Sequence, residues 1–295
     1  MTLKPKILVT GGNGQLGKEL QELSPVYSQF EFFFLTREDM PIDQFELVRN
    51  YFNTLKPAYC VNCAAYTAVD KAESEKDLAF QINGEAVGVL AAVCKEHTTK
   101  FIHISTDYVF NGEGTYPYTE NFPTDPINVY GASKLEGEIE VAQLNPGSII
   151  IRTSWVYSSF GKNFVKTMVR LMNEKDEVKV INDQIGSPTY AADIAEVILK
   201  IIANSQAQNS SWKPGLYHFT NEGILSWYDF ALAIKEITGS PCNIRPIPTS
   251  EYATPAKRPA YSVLDKTKIQ KNFGIQLKDW KKSLAICIEK IIKHK

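Results

Sequence analysis

The sequence lacks several features that define whole classes of protein. Lysine and arginine total 32 and aspartate and glutamate total 33, so the 295 residues carry a formal net charge of −1. Nucleic-acid-binding proteins usually show a basic face, and this balance argues against one. No apolar run approaches the roughly 20 residues that cross a bilayer, and the N-terminus has no apolar signal-peptide segment. We therefore expect a cytoplasmic protein with neither a membrane nor a nucleic-acid partner.

Cysteine is scarce as well. The chain has five cysteines. The number is odd and the chain is not small, and both facts argue against a disulfide framework. Cys60 and Cys63 have the spacing of a redox pair, but their run of apolar neighbours predicts buried, inert thiols. No second pair stands at zinc-ligand spacing. The four histidines form no metal pattern either, and His103, in a predicted strand, is interpreted as a core residue.

Short β-rich runs alternate with helical patterns through the first half of the chain. Strands are predicted at residues 6–10, 30–36, 58–64, 101–105 and 148–153, with helices between them. Repeated βα units imply a parallel sheet with helices on both faces, which is the doubly wound α/β (Rossmann) fold. After about residue 155 the rhythm loosens. Residues 1–155 are therefore predicted to be a dinucleotide-binding core, and residues 156–295 a smaller, mixed, mostly substrate-binding part with some segments that return to the core.

A glycine-rich turn follows the first predicted strand and opens the first helix. In the segment TGGNGQLG, residues 10–17, Gly11, Gly14 and Gly17 stand three residues apart. Glycines at this position let the chain turn tightly, let a pyrophosphate approach the backbone and let the helix pack closely on the sheet. The helix N-terminus adds free amide groups and a favourable dipole. The segment predicts a dinucleotide site.

The end of the second strand usually selects between the two nicotinamide cofactors. An acidic residue there binds the ribose 2′-hydroxyl, whereas an arginine accepts a 2′-phosphate. This chain has Arg37 followed by Glu38 and Asp39. Arg37 favours NADPH, and the two carboxylates leave NADH open. Asp43 is a further candidate contact, for the adenine.

Tyr130 and Lys134 are four residues apart at the start of a predicted helix, so their side chains share one face. A phenol alone has a pKa near ~10. A neighbouring ammonium favours the phenolate and is expected to lower that pKa. The pair can then give a proton to an alkoxide as it forms, and the lysine can hold the nicotinamide ribose.

A group of polar residues follows the fourth predicted strand, where ligands bind at the carboxyl edge of such sheets. Ser105 and Thr106 are both candidates to hydrogen-bond a substrate carbonyl oxygen. Strand alternation points them in opposite directions, and we favour Thr106. Asp107 and Tyr108 are expected nearby.

These pieces together resemble the extended short-chain dehydrogenase/reductase superfamily. At closer range, segments along nearly the whole chain are similar to dTDP-4-dehydrorhamnose reductases. The segments that carry this resemblance are NCAAYTAVDKAE (62–73), STDYVF (105–110), RTSWVY (152–157), INDQIGSPT (181–189), GLYH (215–218) and YATPAKRP (252–259).

The resemblance implies an activity and a set of site residues. The activity is the NAD(P)H-dependent reduction of the 4-keto group of dTDP-4-dehydro-β-L-rhamnose to dTDP-L-rhamnose, the last step of a carbohydrate biosynthesis pathway. Catalytic roles fall on Thr106, Tyr130 and Lys134. Positions that match cofactor contacts are Gly14, Gln15, Leu16, Ala64, Ala65 and Thr67, and those that match sugar contacts are Asp107 and Trp155. Thr36 and Arg37 stand where some members have an acidic residue, which argues against strict use of NADH.

Further residues suit a nucleotide-sugar on chemical grounds. Asn163, Lys166 and Arg258 are candidates to neutralise the substrate pyrophosphate, because a guanidinium fork matches phosphate oxygens. Some relatives dimerise through a divalent ion held by surface carboxylates, and Glu19 is one candidate ligand. The sequence itself does not support a Mg²⁺ requirement, and it leaves a homodimer open.

Three other functions compete with this interpretation. A 4,6-dehydratase usually carries Asp-Glu after the threonine, and Asp107-Tyr108 disfavours it. A reductase or epimerase of another nucleotide-sugar stays open. The non-catalytic regulatory subunit of methionine adenosyltransferase is similar to the same family, and a fold alone does not separate a binder from an enzyme. The intact set of Thr106, Tyr130 and Lys134 favours an enzyme.

Overall fold

A six-stranded parallel sheet forms the centre of the computed structural model, which describes residues 4–207 and 211–293. In spatial order the strands are β10 (Gly215–His218), β5 (Ile149–Thr153), β4 (Lys100–Thr106), β3 (Tyr59–Asn62), β1 (Lys6–Thr10) and β2 (Glu31–Leu35). All five strand pairings are parallel. The order reverses between β1 and β3, where a doubly wound sheet opens a ligand crevice. The predicted fold class is confirmed.

Helices cover both faces of this sheet. The helices of the first half of the chain are α1 (Gln15–Leu23), α2 (Phe45–Leu55), α3 (Val69–Ala72), α4 (Lys76–Phe80), α5 (Ala86–Glu96) and α6 (Val129–Leu144). The start of α6 is fixed by Asn128, whose side-chain oxygen accepts the Gly131 N–H. The carboxyl end of β4 runs into a short 3-10 turn, Asp107–Val109, capped by the Thr106 side chain. These two ends bring the predicted catalytic residues to one edge of the sheet.

Residues 78–97, which are rich in Ala, Val and Leu, predict one long helix. In the structure this segment contains a π-helical turn, Gln81–Glu85, between α4 and α5. Asn83 in this turn donates to the Tyr66 carbonyl and to Ser133 Oγ, both at 3.0 Å. A Cβ on Gly137 of α6 would collide with the Asn83 carbonyl oxygen, so the two helices are in backbone contact there. The π turn thus fixes α6 against the loop after β3.

The segment Lys76–Glu96 is long and apolar enough to span a bilayer by length and composition alone, contrary to the expectation from apolar run length. More than half of its apolar window, 56%, is buried inside the fold. Val87, Leu90 and Val93 belong to the core on one face of the sheet. The core helix of a globular fold can have the same length and composition as a membrane-spanning helix, and this helix lies in the core.

The second half of the chain adds helices and short strands. The helices are α7 (Phe164–Glu174), α8 (Ala191–Ala207), α9 (Trp227–Thr238), α10 (Thr267–Phe273) and α11 (Trp280–Lys293). The strands are β6 (Val156–Tyr157), β7 (Glu177–Ile181), β8 (Ile185–Gly186), β9 (Thr189–Tyr190), β11 (Leu225–Ser226) and β12 (Asn243–Ile247). Helices α7, α9 and α11 enclose a separate hydrophobic cluster, whereas α8 packs into the core of the six-stranded sheet. The division at residue 155 stays a prediction.

One predicted loop is partly wrong. The polar sequence of residues 204–214 predicts a surface loop, but α8 continues to Ala207. The reason is that Ser205 is buried, with its hydroxyl 3.0 Å from the Tyr59 hydroxyl. The sequence also predicts an amphipathic C-terminal helix over residues 280–295. Residues 208–210 of the loop and residues 294–295 of this helix lie outside the described part of the chain.

Candidate active site

A cavity of about 930 Å³ opens at the carboxyl edge of the sheet, at the point where the strand order reverses. Most of the residues predicted for the site line it. Those from the cofactor set are Gly11, Gly14, Gln15, Leu16, Arg37, Asp43, Ala64, Ala65 and Thr67. Those from the catalytic and sugar sets are Thr106, Asp107, Tyr130, Lys134 and Trp155.

The glycine turn forms one end of the cavity. Gly11 has φ +65°, and its carbonyl oxygen accepts the Gly14 N–H at 2.9 Å. A Cβ on Gly17 would collide with the same carbonyl, so only glycine lets α1 approach the turn this closely. No side chain caps the N-terminus of α1 at Gly14, which leaves its amide groups facing the cavity. This arrangement fits a dinucleotide pyrophosphate.

Three charged side chains follow β2, and they differ in their hydrogen bonds and in whether they line the cavity. The Asp39 carboxylate accepts the Thr36 N–H at 2.9 Å and the Thr36 hydroxyl at 2.8 Å, and these bonds hold its pKa below the usual range. Arg37 and Glu38 line the cavity. Arg37 is the cation among these three side chains, and its contact with a ribose 2′-phosphate stays a prediction.

Thr106, Tyr130 and Lys134 lie together on the cavity wall. The Tyr130 hydroxyl is within hydrogen-bonding reach of Thr106, and burial raises the pKa of Tyr130 to about 12. Lys134 is 2% exposed, its ammonium donates to the Ile104 carbonyl at 2.7 Å, and burial lowers its pKa to about 8. The expectation that the lysine lowers the tyrosine pKa is wrong for this resting site, because burial of the phenol is the larger effect. Tyr130 is therefore a proton donor at neutral pH.

Ser105 and Thr106 make different contacts, as strand alternation requires. Ser105 Oγ donates to Glu138 Oε1 of α6, although Ser105 also lines the cavity. Thr106 Oγ1 donates to Asp107 Oδ1 at 3.0 Å, beside Tyr130. Asp107 is buried, and burial raises its pKa to about 7.

Two stacked tryptophans form the far wall. Trp155 has φ +49°, in the left-handed region that non-glycine residues seldom adopt. Its ring stacks on that of Trp227, with centroids 3.7 Å apart and planes 11° apart. A Cβ on Gly186 would collide with the Trp155 ring, so a glycine is required opposite it. Sequence reasoning identified Trp155 and missed Trp227, which gave no signal beyond being the first residue of a helix.

Several predicted residues lie away from the cavity. Asn163 caps α7, and its amide donates to Gln15 Oε1 at 2.9 Å and to the Ser158 carbonyl at 2.7 Å. Arg258 forms a two-pronged ion pair with Asp70, at 2.8 and 3.1 Å. Lys166 donates to the Ser159 carbonyl. The cation that does line the cavity on this side is Lys162, which sequence reasoning did not single out.

Glu19, the candidate metal ligand, is not a surface carboxylate. It is 1% exposed, accepts a hydrogen bond from Ser158 Oγ at 2.6 Å, and lies 3.7 Å from the Lys290 ammonium. The described residues contain no group of three or more His, Cys, Asp or Glu side chains arranged to hold a metal ion. A neighbouring ammonium is a poor companion for a cation, so these residues do not fit a divalent ion.

The sequence and fold match known proteins over nearly the full chain. A family model described as the RmlD substrate binding domain matches residues 5–292. A dTDP-4-dehydrorhamnose reductase of Burkholderia thailandensis is 43% identical, over 97% of this chain and 99% of that protein.

Solved structures agree with this match. A dTDP-4-dehydrorhamnose reductase of Clostridium acetobutylicum has a TM-score of 0.90 and 42% identity, over 96% of this chain and 98% of that one. The Bacillus anthracis enzyme, solved in complex with NADP, has a TM-score of 0.92 and 38% identity, over 97% and 99%. The chain therefore belongs to the RmlD substrate-binding-domain family, whose named relatives here are dTDP-4-dehydrorhamnose reductases.

Proposed function

We propose that this protein uses NADPH to reduce the 4-keto group of dTDP-4-dehydro-β-L-rhamnose and releases dTDP-L-rhamnose. The observation that carries the proposal is a proton-donating Tyr130 beside Thr106, in a cavity of about 930 Å³ that Lys134 also lines. Identity above 40% to reductases of this name, at full length, supports the same substrate. No observation favours an epimerase, a dehydratase or a regulatory subunit.

Bound NADPH supplies the hydride to the substrate carbonyl carbon. Side chains of the protein bind the carbonyl oxygen and protonate it. Thr106 and Tyr130 donate hydrogen bonds to it, which stabilises the negative charge as it develops. Tyr130 then gives up its proton to the alkoxide, a favourable transfer because an alkoxide is far more basic than a phenolate. Lys134, poised with a pKa of about 8, supplies a compensating positive charge beside the phenolate and orients the ribose.

The predicted cofactor contacts line one part of the cavity. The amides of the turn at Gly11, Gly14 and Gln15 would hold the pyrophosphate, with Gly17 letting α1 approach the turn closely. Arg37 would bind the 2′-phosphate, and Asp43 would contact the adenine. The floor of the site is formed by Ala64, Ala65 and Thr67.

The substrate contacts fall on the opposite wall. The stacked rings of Trp155 and Trp227 offer an apolar face to a sugar or a base. Lys162 lines the cavity and is the candidate cation for the substrate pyrophosphate. Asn163 acts through Gln15 and the backbone, and Arg258 is held by Asp70. A direct role for Arg258 requires that this ion pair opens.

An activity assay with both cofactors tests the proposal. The 4-keto sugar is generated from dTDP-glucose by a dehydratase and a 3,5-epimerase, and nicotinamide absorbance is followed. We expect consumption of NADPH that requires both upstream enzymes, slower use of NADH, and dTDP-L-rhamnose as product. Consumption that does not need the 3,5-epimerase, or no consumption with either cofactor, contradicts the proposed substrate.

Location and assembly belong to the same proposal. We place the enzyme in the cytoplasm, where the five free cysteines stay reduced. We predict a homodimer. Light scattering of the purified enzyme, with and without a chelator, measures its molar mass and tests this prediction. Since Glu19 faces Lys290, we expect the measured mass to be insensitive to the chelator.

A further inference from the structure

A chain of buried hydrogen bonds runs beneath the site, from the glycine turn to the catalytic lysine. Thr10 Oγ1 donates to Asn62 Oδ1 at 2.5 Å, Asn62 Nδ2 lies 3.0 Å from His103 Nδ1, and His103 Nε2 lies 3.4 Å from Lys134 Nζ. All four side chains are at most 2% exposed. They come from β1, β3, β4 and α6, so the chain crosses the sheet below the cavity.

The orientation of the Asn62 amide decides which nitrogen of His103 carries the proton. The Ala64 N–H, which can only donate, lies 3.3 Å from Asn62 Oδ1. The atom facing Ala64 and Thr10 is therefore the oxygen, and the nitrogen faces the imidazole. His103 Nδ1 accepts this bond and is unprotonated. Burial holds the pKa of His103 well below its usual value, so the ring is neutral with its single proton on Nε2.

That proton faces the amine of Lys134. An ammonium has three donors and no lone pair, so it meets the Nε2–H as one donor against another. An uncharged amine has a lone pair that can accept the Nε2–H, while it still donates to the Ile104 carbonyl at 2.7 Å. The imidazole thus distinguishes the two protonation states of the lysine.

We infer that His103 is a positioning residue for Lys134: Asn62 holds it as the Nε2–H tautomer, and its N–H opposes the ammonium and favours the free amine. The lysine is thereby kept ready to release its proton to the tyrosine after each turnover. This role goes beyond a core histidine, and its kinetic consequence rests on the proposed reductase activity.

Other titratable groups near Lys134 also influence the protonation of its amine. Glu138, four residues along α6, favours the ammonium, but it is paired with Arg152 of β5. Cys63, after β3, lies on the cavity side, and burial raises the pKa of its thiol, so it is uncharged. Tyr130 is protonated in the resting site. Among these neighbours His103 is the one that presents a fixed donor to the amine.

The tautomer is measured directly by nitrogen NMR of the imidazoles in the ¹⁵N-labelled enzyme with NADP⁺ bound. The sequence has four histidines, and a His103→Gln variant assigns the signal. We expect His103 to stay neutral with its proton on Nε2 from about pH 6 to 9, although a free histidine titrates near ~6.5. A proton on Nδ1, or titration within this range, overturns the inference whether or not the protein reduces the proposed substrate.

The pH dependence of kcat measures the consequence. His103→Phe removes the N–H, so the ammonium is no longer opposed, and we expect the alkaline limb to move up by about one pH unit. His103→Gln keeps an acceptor for Asn62 and a donor for Lys134, so its limb should stay near that of the wild type. If the alkaline limb lies at the same pH in all three enzymes and only the magnitude of kcat differs, the role of His103 is merely structural.

Asn62→Asp supplies a second route, in case the phenylalanine variant does not fold. A carboxylate still accepts from Thr10, but it offers His103 no donor, so Nδ1 takes the proton and Nε2 becomes an acceptor for the ammonium. We expect the NMR signal to report the opposite tautomer and the alkaline limb to move up. An unchanged tautomer in this variant contradicts the role given to Asn62. Failure of the reductase assay with a correct tautomer rejects the proposed function alone.

Discussion

At the residue scale, burial prepares each reacting side chain for its task. Tyr130 is held protonated, Lys134 is held with a pKa of about 8, and Asp107 with a pKa of about 7. These residues could be identified from spacing along the chain. Their protonation could not, because it depends on neighbours from other strands. Local spacing alone suggested a lowered tyrosine pKa, whereas the folded site raises it.

Replacing the proton donor tests its role. Tyr130→Phe removes the hydroxyl but keeps the ring, so we expect kcat to fall by roughly 10²–10⁴-fold, the usual worth of general acid catalysis. Affinity for NADPH should stay within a few-fold, as measured by fluorescence titration. Tyr108→Phe is the matched control, since its ring lies 5.5 Å from that of Tyr130 in the same cavity. Equal activity of the two variants would remove Tyr130 from the mechanism.

The raised pKa of Asp107 predicts a pH-dependent stability. An unfolded aspartate has a pKa near ~3.9, so the folded state binds the extra proton, and stability falls as the pH rises from 4 toward 7. Asp107→Asn removes this penalty. Its gain over the wild type, measured by denaturant unfolding, should be larger at pH 8 than at pH 5 by roughly 2–3 kcal/mol. A flat Asp107→Asn profile would refute the assignment.

At the element scale, α6 is the part that organises the site. Tyr130, Lys134 and Glu138 recur every four residues on the face that meets β4 and β5. The sequence predicts the observed bounds of α6, because Asn145 before Pro146 ends the helical pattern. The cap at Asn128 is evident only in the structure. The π turn at Gln81–Glu85 was not predicted, because that hydrogen-bond pattern depends on the contact of Asn83 with α6.

The buried ion pair between α6 and β5 should be sensitive to the loss of one partner. Arg152 donates to Glu138 at 2.8 and 2.6 Å, and both side chains are at most 6% exposed. Arg152→Met leaves a buried carboxylate unpaired, and we expect a loss of about 3–5 kcal/mol in the free energy of unfolding. The double variant with Glu138→Gln should recover part of it.

The matched control is the exposed pair of Arg170 and Glu174, whose side chains are 61% and 52% exposed. Arg170→Met should cost less than about 1 kcal/mol. Similar losses at the two pairs, or a double variant no better than Arg152→Met, would show that burial does not govern the cost.

At the scale of the whole molecule, the cavity lies where the sheet and the second hydrophobic cluster meet. The sequence predicted the sheet because βα units are local and repeat. Asn163 and Arg258, which the sequence suggests as substrate contacts, do not line the cavity. Which side chains of the second half reach the cavity depends on long-range packing. Arg258 is bound by Asp70, 188 residues away, and Asn163 is used as a helix cap.

Cofactor binding stabilises the whole fold, since the unfolded chain has no site. Saturation at 100 times Kd adds about 2.7 kcal/mol, which should raise the melting temperature by several degrees.

Arg37→Ala removes the cation that we propose for the 2′-phosphate. We therefore expect the KM for NADPH to rise at least about tenfold, the worth of a charge-assisted hydrogen bond. The KM for NADH should hardly change. Parallel rises for both cofactors would place the 2′-phosphate elsewhere.

The most direct test of the reductase assignment follows the hydride itself. The enzyme is supplied with the 4-keto sugar and with NADPH that carries deuterium at both C4 positions of the nicotinamide, and the product is analysed by mass spectrometry and NMR. We expect dTDP-L-rhamnose that carries one deuterium, at C4 of the sugar. A product without deuterium, or with deuterium at another carbon, would contradict it.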